Sequence, residues 1–318
     1  MAREALLMKT QAQPDARATV LGVVAILLWS STIAFARTIS ENLGAVRTGA
    51  LVFLGAGILA SVVEIGRPGG FRRFSGLSVR YLFLCGLPFV AYMALLYAAI
   101  GTATTREAVI EVGIINYLWP TLVLVFSLGI QGHRARGAFW IGVLLALTGS
   151  VVTTVDAQHL SISRFLDHLA PNALPFLMAA AAAGLWALYS NLSRTIGRDS
   201  QGNALPLFLL AAGIALSGLA MLLPESAPVW TRRVGWELGY LIVLPTFLAY
   251  SLWDFAIQRG HFLFIGAMSY FTPILSTLIA ALRLGIHPGL GLWVGCVLVT
   301  GGAILSRYTI TEASGSCD

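Results

Sequence analysis

The sequence predicts an all-α integral membrane protein: ten transmembrane helices arranged as two inverted five-helix repeats. Three observations lead there. The chain is poor in charge, it contains ten apolar runs of membrane-spanning length, and it matches itself at a nearly fixed offset.

Charged residues make up 11% and hydrophobic residues 57% of the 318 positions, whereas a soluble domain carries about 25% charged residues. The surface is therefore built for lipid. A helix needs about 20 mostly apolar residues to cross a hydrocarbon core about 30 Å thick. Runs of that order recur at 18–38, 47–66, 80–100, 107–130, 137–155, 173–193, 204–223, 238–257, 262–284 and 289–306. The connectors are short, the longest being 156–171, and leave no room for a soluble domain.

Taken in order, the first run places Trp29 at mid-span, and no apolar h-region precedes it in residues 1–17, so it reads as its own uncleaved insertion signal. The second holds Gly55, Gly57 and Ala60, which imitate a dinucleotide fingerprint but have no strand around them and read as a close helix-packing face. Pro88 interrupts the third run. The fourth carries Glu107, Glu111, Asn116, Tyr117, Trp119 and Pro120, and the fifth Trp140, Gly142 and Gly149. In the sixth, Trp186, Tyr189, Ser190 and Ser193 share one helical face, and Ala179 with Ala183 permits close approach of a neighbour. The seventh is a plain apolar span. The eighth holds Pro245, Trp253 and Asp254, the ninth Tyr270 and Pro273, and the tenth the small pair Gly291 and Gly295.

With the N-terminus cytoplasmic, thirteen of the twenty basic residues fall inside, which follows the positive-inside rule and puts both termini in the cytoplasm. At an offset of 157, Trp29 meets Trp186, Arg37-Thr38-Ile39 meets Arg194-Thr195-Ile196, and Leu87-Pro88 meets Leu244-Pro245. At an offset of 153, Gly113, Tyr117 and Pro120 meet Gly266, Tyr270 and Pro273, and Trp140, Gly142 and Gly149 meet Trp293, Gly295 and Gly302. Shared Trp, Tyr and Pro at two offsets make a duplication. Five spans is an odd number, so the second copy crosses in the opposite sense, the architecture of alternating access with solute held between the repeats. The expected divisions are a tail at 1–17, repeats at 18–155 and 173–307 joined by a connector at 156–172, and a tail at 308–318.

Several activities are excluded on chemistry. Lys9, the single lysine, lies in a polar tail, so neither a P-loop nor a Schiff base can be built. The arginines fall between apolar runs rather than on one patch, so the pI near 9.5 does not point to nucleic acid. Cys85, Cys296 and Cys317 give no disulfide or metal spacing, and the five histidines lie in or beside loops. No nucleophile has a base beside it. The expectation is no enzyme, no cofactor and no metal, and secondary transport as the energetic class.

Candidate site residues follow from what is costly in lipid. Pro120 and Pro273, and likewise Pro88 and Pro245, each remove a donor and can free carbonyls about four residues earlier, tolerable only against protein or a watered cavity; a packing kink is the alternative. Trp29 and Trp186 at mid-span need an acceptor for their indole N–H, as in a cavity wall or a packed core. Glu111 inside a span is a functional candidate, as cation partner or proton site, unless it pairs with Arg106 or Arg37. Asn116 lies about 140° away around the helix, so the two should not face one cavity. Asp254 reads as a partner of Arg194 or Arg259.

The segments Leu28-Trp29-Ser30, Glu111-Val112-Gly113-Ile114-Ile115-Asn116-Tyr117-Leu118-Trp119-Pro120 and Ser269-Tyr270-Phe271-Thr272-Pro273 resemble those of the drug/metabolite transporter superfamily, EamA-like, and within it the aromatic amino acid exporters of bacterial inner membranes. The resemblance covers all but the tails. It implies a central cavity lined by spans one, three, four, six, eight and nine, with spans five and ten peripheral. By position, Trp29, Tyr92, Glu111, Asn116, Tyr117, Trp119, Trp186, Tyr189, Trp253 and Tyr270 become lining candidates. The expected function is export of amino acids, aromatic and other apolar ones included, from the bacterial cytoplasm by alternating access. A broad drug or metabolite exporter is the alternative within transport, and a membrane-embedded enzyme or scaffold the alternative outside it. Proton coupling stays open, as does the choice between monomer and homodimer.

Overall fold

The computed structural model describes residues 14–154, 170–197, 202–284 and 290–311. Most of the expected tails and of the expected connector therefore lie outside the described residues. The first half contains α1 (Ala16–Ser30), α2 (Thr32–Leu43), α3 (Ala45–Ile65), the short α4 (Arg72–Ser75), α5 (Val79–Thr102), α6 (Arg106–Asn116), α7 (Trp119–Ile130), β1 (Arg134–Ala135) and α8 (Gly137–Thr154). The second contains α9 (Ala173–Ile196), α10 (Leu205–Leu222), α11 (Arg232–Leu241), a π-helical stretch (Ile242–Leu248), α12 (Ala249–Arg259), α13 (Phe262–Met268), a 3₁₀ turn (Ser269–Phe271), α14 (Thr272–Leu284), α15 (Leu290–Thr309) and β2 (Ile310–Thr311).

Among the described residues, six helical stretches are long and apolar enough to cross a membrane: Ala45–Ile65, Val79–Thr102, Glu111–Ile130, Ala173–Ile196, Leu205–Leu222 and Arg232–Arg259. The remaining apolar helices, Ala16–Ser30, Gly137–Val152 and Phe262–Ser276, are shorter. Polar side chains start several helices. Ser78 accepts from the Tyr81 N–H at 3.0 Å, Thr105 from Ala108 at 3.1 Å and Thr231 from Val234 at 3.1 Å, each satisfying a donor that the first turn leaves orphaned. The cap of α3 comes from across the fold: Glu225 accepts from the Val46 and Arg47 N–H groups at 2.7 and 3.0 Å. That carboxylate approaches over Gly44, whose φ of +88° favours glycine.

The tightest helix pairs are α8 with α15, α3 with α10, α5 with α9 and α1 with α12. Each draws one helix from either half. Glycines permit the approach: a Cβ on Gly57 would lie 2.6 Å from the Leu210 nitrogen, and one on Gly213 2.5 Å from that of Leu54. Gly142, Gly149 and Gly302 line the α8–α15 contact in the same way. Trp29 and Trp186, repeat equivalents 157 positions apart, have ring centroids 5.5 Å apart. Tyr250 and Met93, also 157 apart, touch with the hydroxyl 3.8 Å from sulfur. A residue meets its own equivalent only where two copies adjoin, so the centre of the bundle is the seam of the duplication. At one end of the bundle β1 pairs antiparallel with β2, Arg134 opposite Thr311.

Candidate functional site

Four tryptophans from four helices converge on that seam. Trp29 of α1, Trp119 of α7, Trp186 of α9 and Trp253 of α12 are all in mutual contact, with centroid separations from 5.1 Å (Trp29 to Trp253) to 6.3 Å (Trp29 to Trp119). Most pairs meet edge to face, the arrangement the ring quadrupole favours. Tyr92 packs on Trp186 at 5.0 Å and Tyr250 on Trp29 at 5.0 Å.

Above this floor lies a cavity of about 280 Å³, near the lower end of the ~300–1,000 Å³ of small-molecule sites. It runs from Trp29, Trp119 and Trp186 to Ser40, Ala45 and Ile100, at the end of the bundle where α2 meets α3 and α5 approaches α6. Among the described residues, no charged side chain lines it. The wall is apolar except for neutral groups, and several of these are unsatisfied: Trp29 Nε1, Thr32 Oγ1, Asn116 Oδ1, Thr272 Oγ1 and Ser276 Oγ are buried without a hydrogen-bond partner among the described residues. Buried polar atoms are ordinarily paired, so an unsatisfied group of them around one void marks a place prepared for a polar ligand group.

Local backbone explains how these atoms reach the cavity. The fourth helical run breaks at Tyr117-Leu118, and Pro120 occupies the second position of α7. The ninth breaks at Ser269-Tyr270-Phe271, and Pro273 is the second residue of α14. Asn116, Tyr117 and Trp119 line the cavity at the first break, Thr272 and Ser276 beside the second. Pro245 lies in the π-helical stretch and lines the cavity, while Pro88 stays inside an unbroken α5. Ser31 marks a further break, between α1 and α2, that turns Thr32 and Ala36 toward the void.

Of the lining candidates, Trp29, Tyr92, Asn116, Tyr117, Trp119 and Trp186 line the cavity; Glu111, Tyr189, Trp253 and Tyr270 do not. Trp253 supports the floor from beneath. Tyr270 is fully buried and shares a 2.8 Å hydrogen bond with Thr121, tying α7 to the 3₁₀ turn. Glu111 is half-buried on α6, and the side chains of Arg37 and Arg106 lie outside the description. Thr32, Tyr97, Tyr250, Thr272 and Ser276 were not singled out from sequence, although the repeat offsets place Thr32 opposite Tyr189 and Thr272 opposite Trp119.

On the other side of the tryptophans the described residues pack closely around a buried carboxylate. The Asp254 carboxylate is buried and accepts from Tyr189 Oη at 2.7 Å and Ser193 Oγ at 2.8 Å, both on Oδ1, and from Gln258 Nε2 at 2.9 Å on Oδ2. Gln258 also reaches Ser193 at 3.0 Å and Tyr81 at 3.4 Å. This corrects the expected pairing with arginine: Arg194 donates to the carbonyls of Ile257, Gln258 and Gly260, and Arg259 lies over the Phe255 ring. Nearby, Asn191 joins α9 to α7 through Gln131 and the Val123 carbonyl.

A bundle of long apolar helices packed in pairs around an indole-floored cavity is the build of a multi-pass membrane protein with room for a small solute. The EamA-like transporter family matches the chain twice, at residues 16–155 and 173–308, and the chain belongs to that family, within the drug/metabolite transporter superfamily. It is similar to the aromatic amino acid exporters YddG of Salmonella typhimurium (33% identity), Escherichia coli (30%) and Ancylobacter novellus (33%), each alignment covering 91% of this chain and 96% of the relative. A crystal structure superposes with a TM-score of 0.76 at 27% identity, over 91% of this chain and 97% of that one. Membership and these relatives make the chain a transporter rather than an enzyme.

Proposed function

We propose that the chain exports amino acids, aromatic and other apolar ones, across the bacterial inner membrane by alternating access. The single observation that carries this reading is the uncharged cavity: an indole-lined floor with a cluster of unsatisfied neutral polar atoms beside it. The floor offers apolar area and π-faces to a side chain. Asn116, Thr32, Thr272 and Ser276 offer hydrogen bonds to an ammonium and carboxylate that cancel in net charge. Lysine or glutamate would bury an uncompensated charge there, at a cost of several kcal/mol. The same argument disfavours hydrophobic cations, because no lining carboxylate would receive them. The names of the similar exporters support the substrate class.

In this proposal all ten helical runs span the bilayer, the halves are inverted, and both termini face the cytoplasm. Arg67, Arg72, Arg73, Arg194 and Arg259 then border the sealed end, which is the cytoplasmic one by the positive-inside rule. The cavity opens away from the cytoplasm.

The test is flux of radiolabelled amino acids in liposomes holding purified protein, with and without a pH gradient. We expect saturable flux of phenylalanine, tryptophan and leucine, at least about tenfold above lysine or glutamate, the ratio of about 1.4 kcal/mol. Trp186→Ala should lower that flux while leaving the amount of protein in the membrane unchanged. Equal flux of charged and apolar amino acids would sink the proposal.

A further inference from the structure

The sealed end carries a feature that the open end lacks. Tyr189, Ser193, Asp254 and Gln258 are the repeat equivalents, at an offset of 157, of Thr32, Ala36, Tyr97 and Gly101. Three of those four mates line the open cavity. The same two surfaces, the α9–α12 contact and its counterpart, are thus latched at one end and parted at the other. At these four positions only the latched set contains a carboxylate, Asp254 standing where its mate is Tyr97.

Among the described residues, the hydrogen-bond partners of that carboxylate are neutral. Its bonded partners are two hydroxyls and one amide. From α5 it faces Tyr81 and Cys85, from α9 Tyr189, with the Arg194 guanidinium committed to backbone carbonyls; from its own helix Arg259 covers Phe255. The neighbouring α10 has no ionisable residue, α1 has only the exposed Arg17, and His261 follows α12 at the same end. An ionised carboxylate buried without a cation carries a large desolvation cost. A protonated one fits the same geometry. Tyr189 and Ser193 both donate to Oδ1, so a proton on Oδ2 leaves their bonds in place, and the Gln258 amide, turned over, presents its oxygen to that proton in exchange for its bond to Ser193.

We propose that Asp254 is a proton-binding site within this latch, reached by water from one face of the membrane only. The sealed state holds the neutral acid. When α9 and α12 part, the O–H proton passes to water on that face and the carboxylate is solvated; resealing takes a proton back. The hydrogen bonds from Tyr189 and Ser193 to Asp254 part with the helices and re-form on resealing, and no covalent bond other than that O–H changes. The proton leaves and returns on the same side, so pH gates the opening of the latch without a proton being carried across. Higher pH on the latch side favours opening and lower pH favours the seal. The inference rests on the alternating-access reading above, but its test does not require solute flux.

Cys85 is fully buried beside Asp254 and should become reactive when the latch parts. In a Cys296→Ser/Cys317→Ser background, we would measure the rate of Cys85 labelling by N-ethylmaleimide from about pH 5 to about pH 9, and divide it by the rate in the same background with Asp254→Asn. The division removes the thiol ionisation common to both proteins, and the negative charge of an ionised Asp254 disfavours the Cys85 thiolate, so that charge works against the expected rise and cannot produce it. The ratio should rise with pH by at least about fivefold, the low end of ordinary coupling between two equilibria. Ser193→Ala removes a donor that serves the anion more than the acid, so the midpoint of the rise should move to higher pH. A ratio flat with pH, or a midpoint indifferent to Ser193→Ala, would overturn the proposal. A titrating ratio in protein that moves no amino acid would leave the latch standing and reject the transport reading instead.

Discussion

Asn116 and Glu111 show how far single residues could be read before the fold was known. Helical geometry set them on different faces, and of the two only Asn116 lines the cavity. What periodicity could not supply was which face met the void. Trp119 enters only through the family resemblance, whereas Trp29 and Trp186 were legible because an indole at mid-span is costly in lipid. Thr32, Thr272 and Ser276 were not, because small hydroxyls in apolar helices usually bond back to their own helix, as Ser30 and Ser269 do here at 2.7 and 2.8 Å. The arginine pairing of Asp254 fails because sharing one end of the membrane with Arg194 and Arg259 does not bring the groups together: those guanidinium groups meet carbonyls and a ring. The residue-scale expectation is that Asn116→Ala raises the apparent KM for phenylalanine by about tenfold, the value of one or two polar contacts to a charged group. Concentration dependence of flux in liposomes measures it, and an unchanged KM would remove Asn116 from the site.

The helices themselves were largely visible as apolar runs, but their interruptions were only partly so. Prolines marked the fourth and ninth runs, yet nothing in the sequence singled out Ser31, where α1 gives way to α2 without a proline. The π-helical stretch around Pro245 was equally silent beyond the proline itself. Glycine spacing did carry information about packing: Gly57 and Gly213 let α3 and α10 approach to backbone contact. We expect Gly213→Val to lower the thermal unfolding temperature of the detergent-solubilised protein, because overpacking against a backbone atom costs about 1–3 kcal/mol or more. Glu225→Ala should cost less, about 1 kcal/mol, since it leaves two N–H groups at the start of α3 without their carboxylate. The two variants measured side by side, with Gly213→Val the worse, would separate helix contact from helix capping. The opposite order would show that the Glu225 clasp, and not the glycine seam, holds α3.

At the scale of the molecule, the duplication was legible from a handful of Trp, Tyr, Pro and Gly matches. The way the copies interlock was not, because an offset says which residues correspond and not which ones touch. The coordinates supply that second half: the strongest contacts all cross between copies, and Trp29 meets its own counterpart. This interlocking bears on how the chain is made. A ribosome delivers α1 to α8 to the bilayer well before their partners exist, so Gly57 and the Gly142 and Gly149 stripe must wait against lipid or the insertion machinery. The first half alone should therefore be short-lived in cells. Separate expression of residues 1–160 and 161–318 should give little of either fragment, and joint expression should restore both together with flux, as judged by immunoblot of membranes. A first half that accumulates alone would mean that lipid covers those faces as well as the second copy does.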